Sequence, residues 1–355
     1  MLKRLTNKIK GRYNNFLEKK LRNICYKSRR LSTLYYFMFN PSFGREHQAV
    51  LSGKVKHIKE STTSKGNYFL LVRNIHRIEK GLLMRPRRPV FGKEYITETI
   101  DNFEQLWDSN LIQTNSQMKW FYDVLTEYFS SASSDPIIAL QHKRFINKVK
   151  LGSIATCDVN SLSIPYKRLE ENRSNITYEA FYKLTKQRRS VRWFLNKPVE
   201  RELIDKAIMA ANQSPSACNR QPFEFHIFDQ PDLVKEVVDY PMGTKGYGHT
   251  IPVMIVLVGN LDAYFDERDR HIIYIDGSLA SMSLMLALET LGLSSCSINW
   301  PDMEGREIKM EKFLNLEKHQ RPIMCLGIGY PDPEGLIAFS EKRPIDQIRI
   351  YNNNR

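Results

Sequence analysis

The stretch KQRRSVRWF at 186–194 sets Arg188, Arg189 and Arg192 around Ser190. Guanidiniums present planar donor forks, and a serine hydroxyl adds a short hydrogen bond; together they suit a phosphate. The plainer reading of such a cluster is a solvated basic surface. A second basic pair, Lys342 and Arg343, lies in the tail FSEKRPIDQIRIY. It follows IMCLGIGYPDPEG, where Gly327 and Gly329 allow backbone to approach a ligand closely. The third feature is SPSACNRQPFEF at 214–225, two prolines and several hydrogen-bonding side chains running straight into an apolar strand. A loop of that kind either stays in solvent or wraps something polar.

Other chemistry is missing. Asp332 stands where a G-x-G-x-x-G loop would need its third glycine, and there is no Walker motif, G-x-S-x-G elbow or H-E-x-x-H pair. No Asp, Glu and His set has metal-ligand spacing, so no metal is expected, and no residue presents itself as acid, base or nucleophile. Chemistry without its own catalytic side chains points to a bound cofactor.

Two kinds of element must position these segments. The sequence up to about 150 reads as helical, with helices expected at 67–83, 93–108, 116–130 and 136–149. In the first of these Phe69, Val72, Ile75, Ile78 and Leu82 share a face, and His76, Arg77, Glu79 and Lys80 form a polar cluster. Upstream, Leu5, Ile9, Tyr13, Phe16, Leu17 and Leu21 recur at helical spacing among lysines and arginines, followed by the apolar LSTLYYFMF at 31–39. That pair reads either as an interfacial anchor or as a helix packed on the main body. From about 176 the pattern becomes mixed, with helices at 176–187, 199–212, 231–239, 269–291 and 304–314 and strands at 223–228, 253–259, 295–299 and 323–329. Gly292 suits the end of the 269–291 helix. LASMSLMLALETLGL within that helix is apolar nearly all round, so it belongs in a core or against a second subunit. The expected organisation is a basic amphipathic segment 1–60, a helical extension 61–150, a linker 151–175 and an α+β domain 176–355.

Composition narrows the partners. Residues 1–100 carry 23 Lys and Arg against 6 Asp and Glu, while the rest carry 30 against 33, so the net charge of +14 belongs to the N-terminal part. That field suits an anionic membrane met through residues 1–40, or an acidic polymer. Nucleic acid ranks low, because no recognised motif accompanies the charge. Cys25, Cys157, Cys218, Cys296 and Cys325 are scattered and odd in number, which fits a reducing compartment. No apolar run reads as a membrane span or secretory signal, so the cytoplasm is expected, with peripheral membrane contact as an addition.

RRSVR, SPSACNRQPFEF, the apolar helix ending in LGL at 291–293, SCSIN at 295–299 and LGIGYP at 326–331 occur in an order that resembles the nitroreductase-like flavin enzymes, over roughly residues 176–355. The resemblance implies an α+β sandwich with a central mixed sheet flanked by helices, forming a homodimer with FMN at the subunit interface. It implies that Arg188, Arg189, Ser190 and Arg192 hold the FMN phosphate, ribityl chain and pyrimidine edge, with Arg192 as the electrostatic stabiliser near N1 and O2. Pro215, Ser216, Ala217 and Asn219 of the other subunit would contact the ring, supported by Gln221. Ile298 and Asn299 would lie near N5 and O4, and Lys342 and Arg343 would complete the phosphate site. Ala217 replaces a hydroxyl residue common in the family. The implied reaction is hydride or electron transfer between NADH or NADPH and an electron-poor small molecule of nitro, quinone or enone type. The alternatives are a flavin-dependent dehydrogenase or oxidase of a biosynthetic intermediate, with surface polysaccharide as one setting, and a non-catalytic dimer that uses its basic region on an anionic surface. The helical extension falls outside the usual family core; if it covers the flavin mouth, His76, Arg77 and Glu79 are the residues to inspect.

Overall fold

The computed structural model describes residues 20–63, 65–112, 114–132, 135–150 and 162–352. Leu5, Ile9, Tyr13, Phe16 and Leu17 of the amphipathic pattern, and Cys157, lie outside the described residues.

After one turn at Arg22–Cys25, the first part is helical: α1 (Arg29–Met38), α2 (Gly44–Thr62), α3 (Tyr68–Leu82), α4 (Ile96–Leu106), α5 (Ser116–Ser131) and α6 (Pro136–Lys150). Helix α3 begins where the Asn67 side chain accepts the Leu70 N–H at 2.9 Å, satisfying a donor that the first turn leaves free. Its buried Leu71, Ile75, Ile78 and Leu82 meet Ile100 and Phe103 of α4, Phe121, Leu125 and Phe129 of α5 and Phe145 of α6. Each such side chain, fully buried, contributes roughly 1.5–3 kcal/mol. Gly81 does not end the helix. A Cβ there would fall 2.2 Å from the Phe91 ring, so this glycine admits a neighbouring aromatic.

Helix α1 behaves differently. Tyr35 is buried, but Leu31, Leu34, Phe37 and Met38 are exposed, Phe37 at 85%. The helix therefore packs one edge on its own hairpin and leaves an apolar side uncovered beside Arg29 and Arg30.

The second part contains α7 (Tyr178–Gln187), α8 (Arg201–Ala211), β1 (Phe223–Phe228), α9 (Pro231–Val237), β2 (Val253–Asn260), α10 (Ile272–Thr290), β3 (Ser294–Asn299), α11 (Glu304–Leu314) and β4 (Gln320–Gly329). The strands form one sheet in the order β1-β2-β4-β3 with antiparallel neighbours. Phe225 pairs with Leu257, Val256 with Cys325 and Leu326 with Ser297. The parallel element of the expected mixed sheet is an isolated bridge, Ser190 to Ser295. Strand β2 is buried at every position, as a central strand covered on both faces must be. On one face Val253, Ile255, Leu326 and Ile328 pack on Ala207 and Ala211 of α8 and Ala280, Leu284 and Leu288 of α10. On the other, Met254, Val256 and Cys325 meet Val234 and Val237 of α9 and Met310 of α11.

By length and composition alone, the stretch Glu267–Thr290 is apolar enough to cross a membrane, which corrects the sequence expectation that no segment is. In the fold its buried side covers the sheet, as the core helix of an α+β layer does. Ile275, Leu279 and Met282, at helical spacing, remain exposed on its outer side. Gly292, at φ +76°, follows the helix in the left-handed conformation that lets the Leu293 N–H return to Leu288 O at 3.0 Å.

The extension sits on this layer through α2. A Cβ on Gly53 would lie 2.6 Å from the carbonyl carbon of Leu261, so the helix touches backbone with backbone just after β2.

Candidate functional site

The basic segment leaves α7 at Arg188, whose N–H still donates to Leu184 O at 3.0 Å while its own backbone turns extended. Strand β3 is a sheet edge with free backbone groups, and the segment uses them. The Val191 N–H donates to Ser295 O at 3.1 Å. This places Arg188, Arg189 and Ser190, all half-buried, beside the start of β3. The Arg188 Nε and the Ser295 Oγ are both buried without a hydrogen-bond partner. The nearby carboxylate of Glu289 is engaged by Gln187 Nε2 and Ser294 Oγ, each at 3.1 Å, and burial raises its pKa. Arg192 is exposed; its guanidinium lies 5.8 Å from the centre of the Tyr247 ring, and Thr250 Oγ1 donates to its carbonyl at 2.8 Å. Burial and a contact with Cys296 push the Tyr247 phenol up.

Further along β3, Ile298 is buried and Asn299 exposed, about 10–13 Å from Ser295 at the usual strand rise. Lys342 and Arg343 are exposed on the tail, and their side chains form no ion pair or hydrogen bond with 188–192. One chain therefore gathers Arg188, Arg189, Ser190 and Arg192 and leaves the tail pair apart.

The polar loop lies elsewhere. Pro215 is exposed; Ser216, Ala217, Asn219 and Gln221 are half-buried. Cys218, Asn219 and Gln221 all hold positive φ, at 56°, 57° and 51°. Each non-glycine residue there costs of order 1 kcal/mol, so surrounding contacts must hold the shape. They are visible: the Ala217 N–H donates to Asp276 Oδ2 at 2.9 Å, the Gln221 N–H to Ser216 Oγ at 3.1 Å, and Gln221 Nε2 to Asn219 Oδ1 at 3.4 Å. Ser214 Oγ shares a 2.8 Å hydrogen bond with Ser283 Oγ. Asp276 is 4% exposed, and burial raises its carboxyl pKa against the pull of the Ala217 N–H and the Arg220 charge.

The loop is thus anchored at Asp276 and Ser283, the basic segment at Glu289, all on α10. Between Asp276 and Glu289 that helix advances about 20 Å.

Helix α3 of the extension packs against residues 217–219. His76 lies 3.4 Å from Glu79 in a half-exposed pair, and the Arg77 guanidinium sits 3.6 Å from the centre of the Tyr95 ring. Sequence reasoning missed Asp276, Arg220 and Arg73. Asp276 had a readable signal: it is the one acid in the first half of an otherwise apolar helix. Arg220 and Arg73 gave none until the chain was folded. Among the described residues no group of His, Cys, Asp and Glu could hold a metal ion.

Residues 185–245 and 239–330 match the Nitroreductase family model. Iodotyrosine deiodinase 1 of Sus scrofa is 26% identical over 221 residues, 54% of this chain and 75% of that protein. Iodotyrosine deiodinase of Nematostella vectensis is 25% identical over 224 residues, 54% of this chain and 83% of the other. Among solved structures, an FMN-dependent nitroreductase of Clostridium difficile R20291 aligns with a TM-score of 0.40 at 23% identity, covering 48% of this chain and 98% of that one.

Proposed function

Since residues 185–330 form a nitroreductase-family domain, we propose that the chain is an FMN-dependent oxidoreductase that works as a homodimer. It would pass electrons between NADH or NADPH and an electron-poor small molecule of nitro, quinone or enone type.

The observation that carries this reading is Arg188. A guanidinium whose Nε is buried and unpartnered costs roughly 1–3 kcal/mol, and Ser295 Oγ beside it is in the same position. Together with Arg189 and Ser190 they make a donor set that fits the phosphate of FMN. Arg192, more exposed, is free to meet the pyrimidine edge. When bound, FMN supplies hydride or electron transfer at N5. The protein's part is to hold position and charge: Arg192 offers a fixed cation where negative charge would develop, and the strained 217–221 loop is set in shape before any ligand arrives.

The roughly 20 Å along α10 between Asp276, which fixes the loop at Ala217, and Glu289 argues for two chains per site, with the loop supplied by the partner. The exposed Ile275, Leu279 and Met282 would be the seam, and the tail, with Leu336 90% and Phe339 75% exposed, has apolar side chains for a second copy to cover. In that assembly Lys342 and Arg343 would approach a phosphate. Helix α1, basic at one end and apolar on its open side, suits peripheral contact with anionic lipid.

A second reading is favoured by the deiodinase relatives, which align over more of this chain than the family model does. It is reductive dehalogenation on the same cofactor, with carbon–halogen exchanged for carbon–hydrogen and halide released.

The test is to titrate FMN into purified wild-type protein and Arg188→Ala. Wild type should retain FMN, with absorbance bands near roughly 370 and 450 nm that NADH or NADPH bleaches anaerobically. Arg188→Ala should bind FMN at least about tenfold more weakly, the worth of a charge-assisted hydrogen bond. Wild type that takes up no FMN, or equal affinity in the variant, refutes the assignment. Supplying a nitroarene or an iodophenol in the reduced state separates the two readings.

A further inference from the structure

We propose that Arg73, Arg77 and Arg220 form an anion-recognition site on the rim of the 214–221 loop, taking a carboxylate or phosphate on the molecule that comes to the redox centre. The position of this site relative to the chemistry rests on the redox reading above; the anion site itself does not.

Three guanidiniums converge there from two parts of the chain. Arg73 and Arg77 are one helical turn apart on α3, the helix packed against 217–219. Arg73 lies 4.9 Å from the centre of the Phe265 ring, and Arg220 lies 4.9 Å from the neighbouring Tyr264 ring. Arg220 is 4% exposed. Among the described residues its guanidinium hydrogen-bonds through Nη1 alone, to Ala217 O at 3.3 Å, and its buried Nε has no partner.

Two carboxylates compensate them only at longer range, Glu98 acting on Arg73 and Asp276 on Arg220. Among the described residues none of the three arginines has an ion pair. The acids in the neighbourhood are engaged: Glu98 accepts from Asn74 Nδ2 at 3.0 Å, Asp276 from the Ala217 N–H, and Glu79 faces His76. Arg268, also over Phe265 at 5.4 Å, adds another cation and keeps Asp269 as its own partner at 3.7 Å. Burial, and then the charges of Arg77 and Arg220, push Arg73 below the ordinary guanidinium value. Like charges gathered in part-buried surroundings repel, and the chain tolerates this although 39 Asp and Glu were at its disposal. The aromatic faces of Tyr95, Tyr264 and Phe265 hold the guanidiniums by cation–π attraction; Arg77 Nη1 donates to Asn74 Oδ1 at 3.4 Å and Arg220 Nη1 to Ala217 O, and the remaining N–H groups can meet an oxyanion. His76 and Lys80 extend the same face of α3 with further cationic or donor groups.

The anion could belong to the electron acceptor or to the diphosphate of the nicotinamide donor. Calorimetric titration of the full chain, with FMN and without it, separates them, using 4-nitrobenzoate, 4-nitrobenzamide and ADP-ribose as probes. For an acceptor site, 4-nitrobenzoate binds about tenfold tighter than its amide. Arg73→Gln and Arg77→Gln each remove most of that difference, and the affinity for ADP-ribose stays the same. For a donor site the two substitutions weaken ADP-ribose about tenfold and leave 4-nitrobenzoate level with its amide. Either result supports an anion site. Arg220→Lys, which keeps the charge in a buried place, should fall between wild type and the glutamine variants, with thermal unfolding confirming that all variants fold. Unchanged affinity for both anions in both glutamine variants overturns the proposal. So does a loss of FMN retention in Arg73→Gln, which would place the cluster in the flavin site. Binding is read without turnover, so an enzyme that oxidises no NADH or NADPH would sink the redox reading and leave this result standing.

Discussion

Replacing Gly53 by alanine tests how the extension is seated. An ideal Cβ on this residue lies 2.6 Å from the Leu261 carbonyl carbon, 2.7 Å from its oxygen and 2.8 Å from its Cβ. Two of those atoms are backbone, and Leu261 is tied down because its N–H donates to His319 O at 3.1 Å. No rotamer change relieves the contact. Two effects oppose each other. Alanine in a helix interior is favoured over glycine by about 1 kcal/mol. An added methyl in a filled contact costs about 1–3 kcal/mol, toward the upper end where backbone must move. The expected net result is a loss of about 1–2 kcal/mol. Gly44→Ala is the control: it stands in the same helix with nothing within 4 Å of the added carbon, so it should be neutral or slightly stabilising. Urea unfolding followed by circular dichroism measures both, and the midpoint should fall only for Gly53→Ala. Gly53→Ala as stable as Gly44→Ala would show that α2 does not rest on Leu261, and the placement of the α3 arginines beside the loop would lose its support.

Two other outcomes are expected. His57 is buried with Nδ1 2.7 Å from Asp262 O; burial, and then the charges of Arg220 and Arg73, push its pKa below the usual 6.5 against that hydrogen bond. The unfolded chain then binds a proton that the folded chain refuses, so stability is full above about pH 6.5 and declines as the pH falls below it. His57→Gln should flatten the dependence between pH 8 and 5.5 in urea titrations, and an unaltered slope rejects the assignment. Leu279→Lys and Met282→Lys, on the exposed side of α10, should shift sedimentation toward the monomer and lose FMN together with the partner; dimers that survive both changes place the seam elsewhere.

Much of the architecture is readable because burial writes itself as spacing. Phe69, Val72, Ile75, Ile78 and Leu82 foretell α3, and the unbroken apolar VMIVLVG foretells the strand that proves buried at every position. Gly292 marks a helix end because only its left-handed conformation closes that turn without strain. The loop at 214–221 shows the limit of such reading. Its three positive φ angles fall on Cys218, Asn219 and Gln221, of which only asparagine favours that region, and hydrogen bonds from Asp276 and Ser216 impose the shape. Gly81, the last residue but one of α3, is a berth for Phe91. The Arg73, Arg77 and Arg220 cluster was invisible for the same reason: two of its members lie nearly 150 positions from the third, and no local pattern records a meeting of that kind.

The separation of Asp276 from Glu289 along α10 has a genetic corollary. If each centre takes its phosphate grip from one molecule and its ring-covering loop from the other, a variant crippled at Arg188 and a variant crippled at Asp276 are defective in different halves of every site. Alone, each is dead at both centres. Co-expressed, they form hybrids in which one centre inherits both lesions and the other inherits neither, so two inactive alleles together restore up to half the turnover of a normal pair in each mixed dimer.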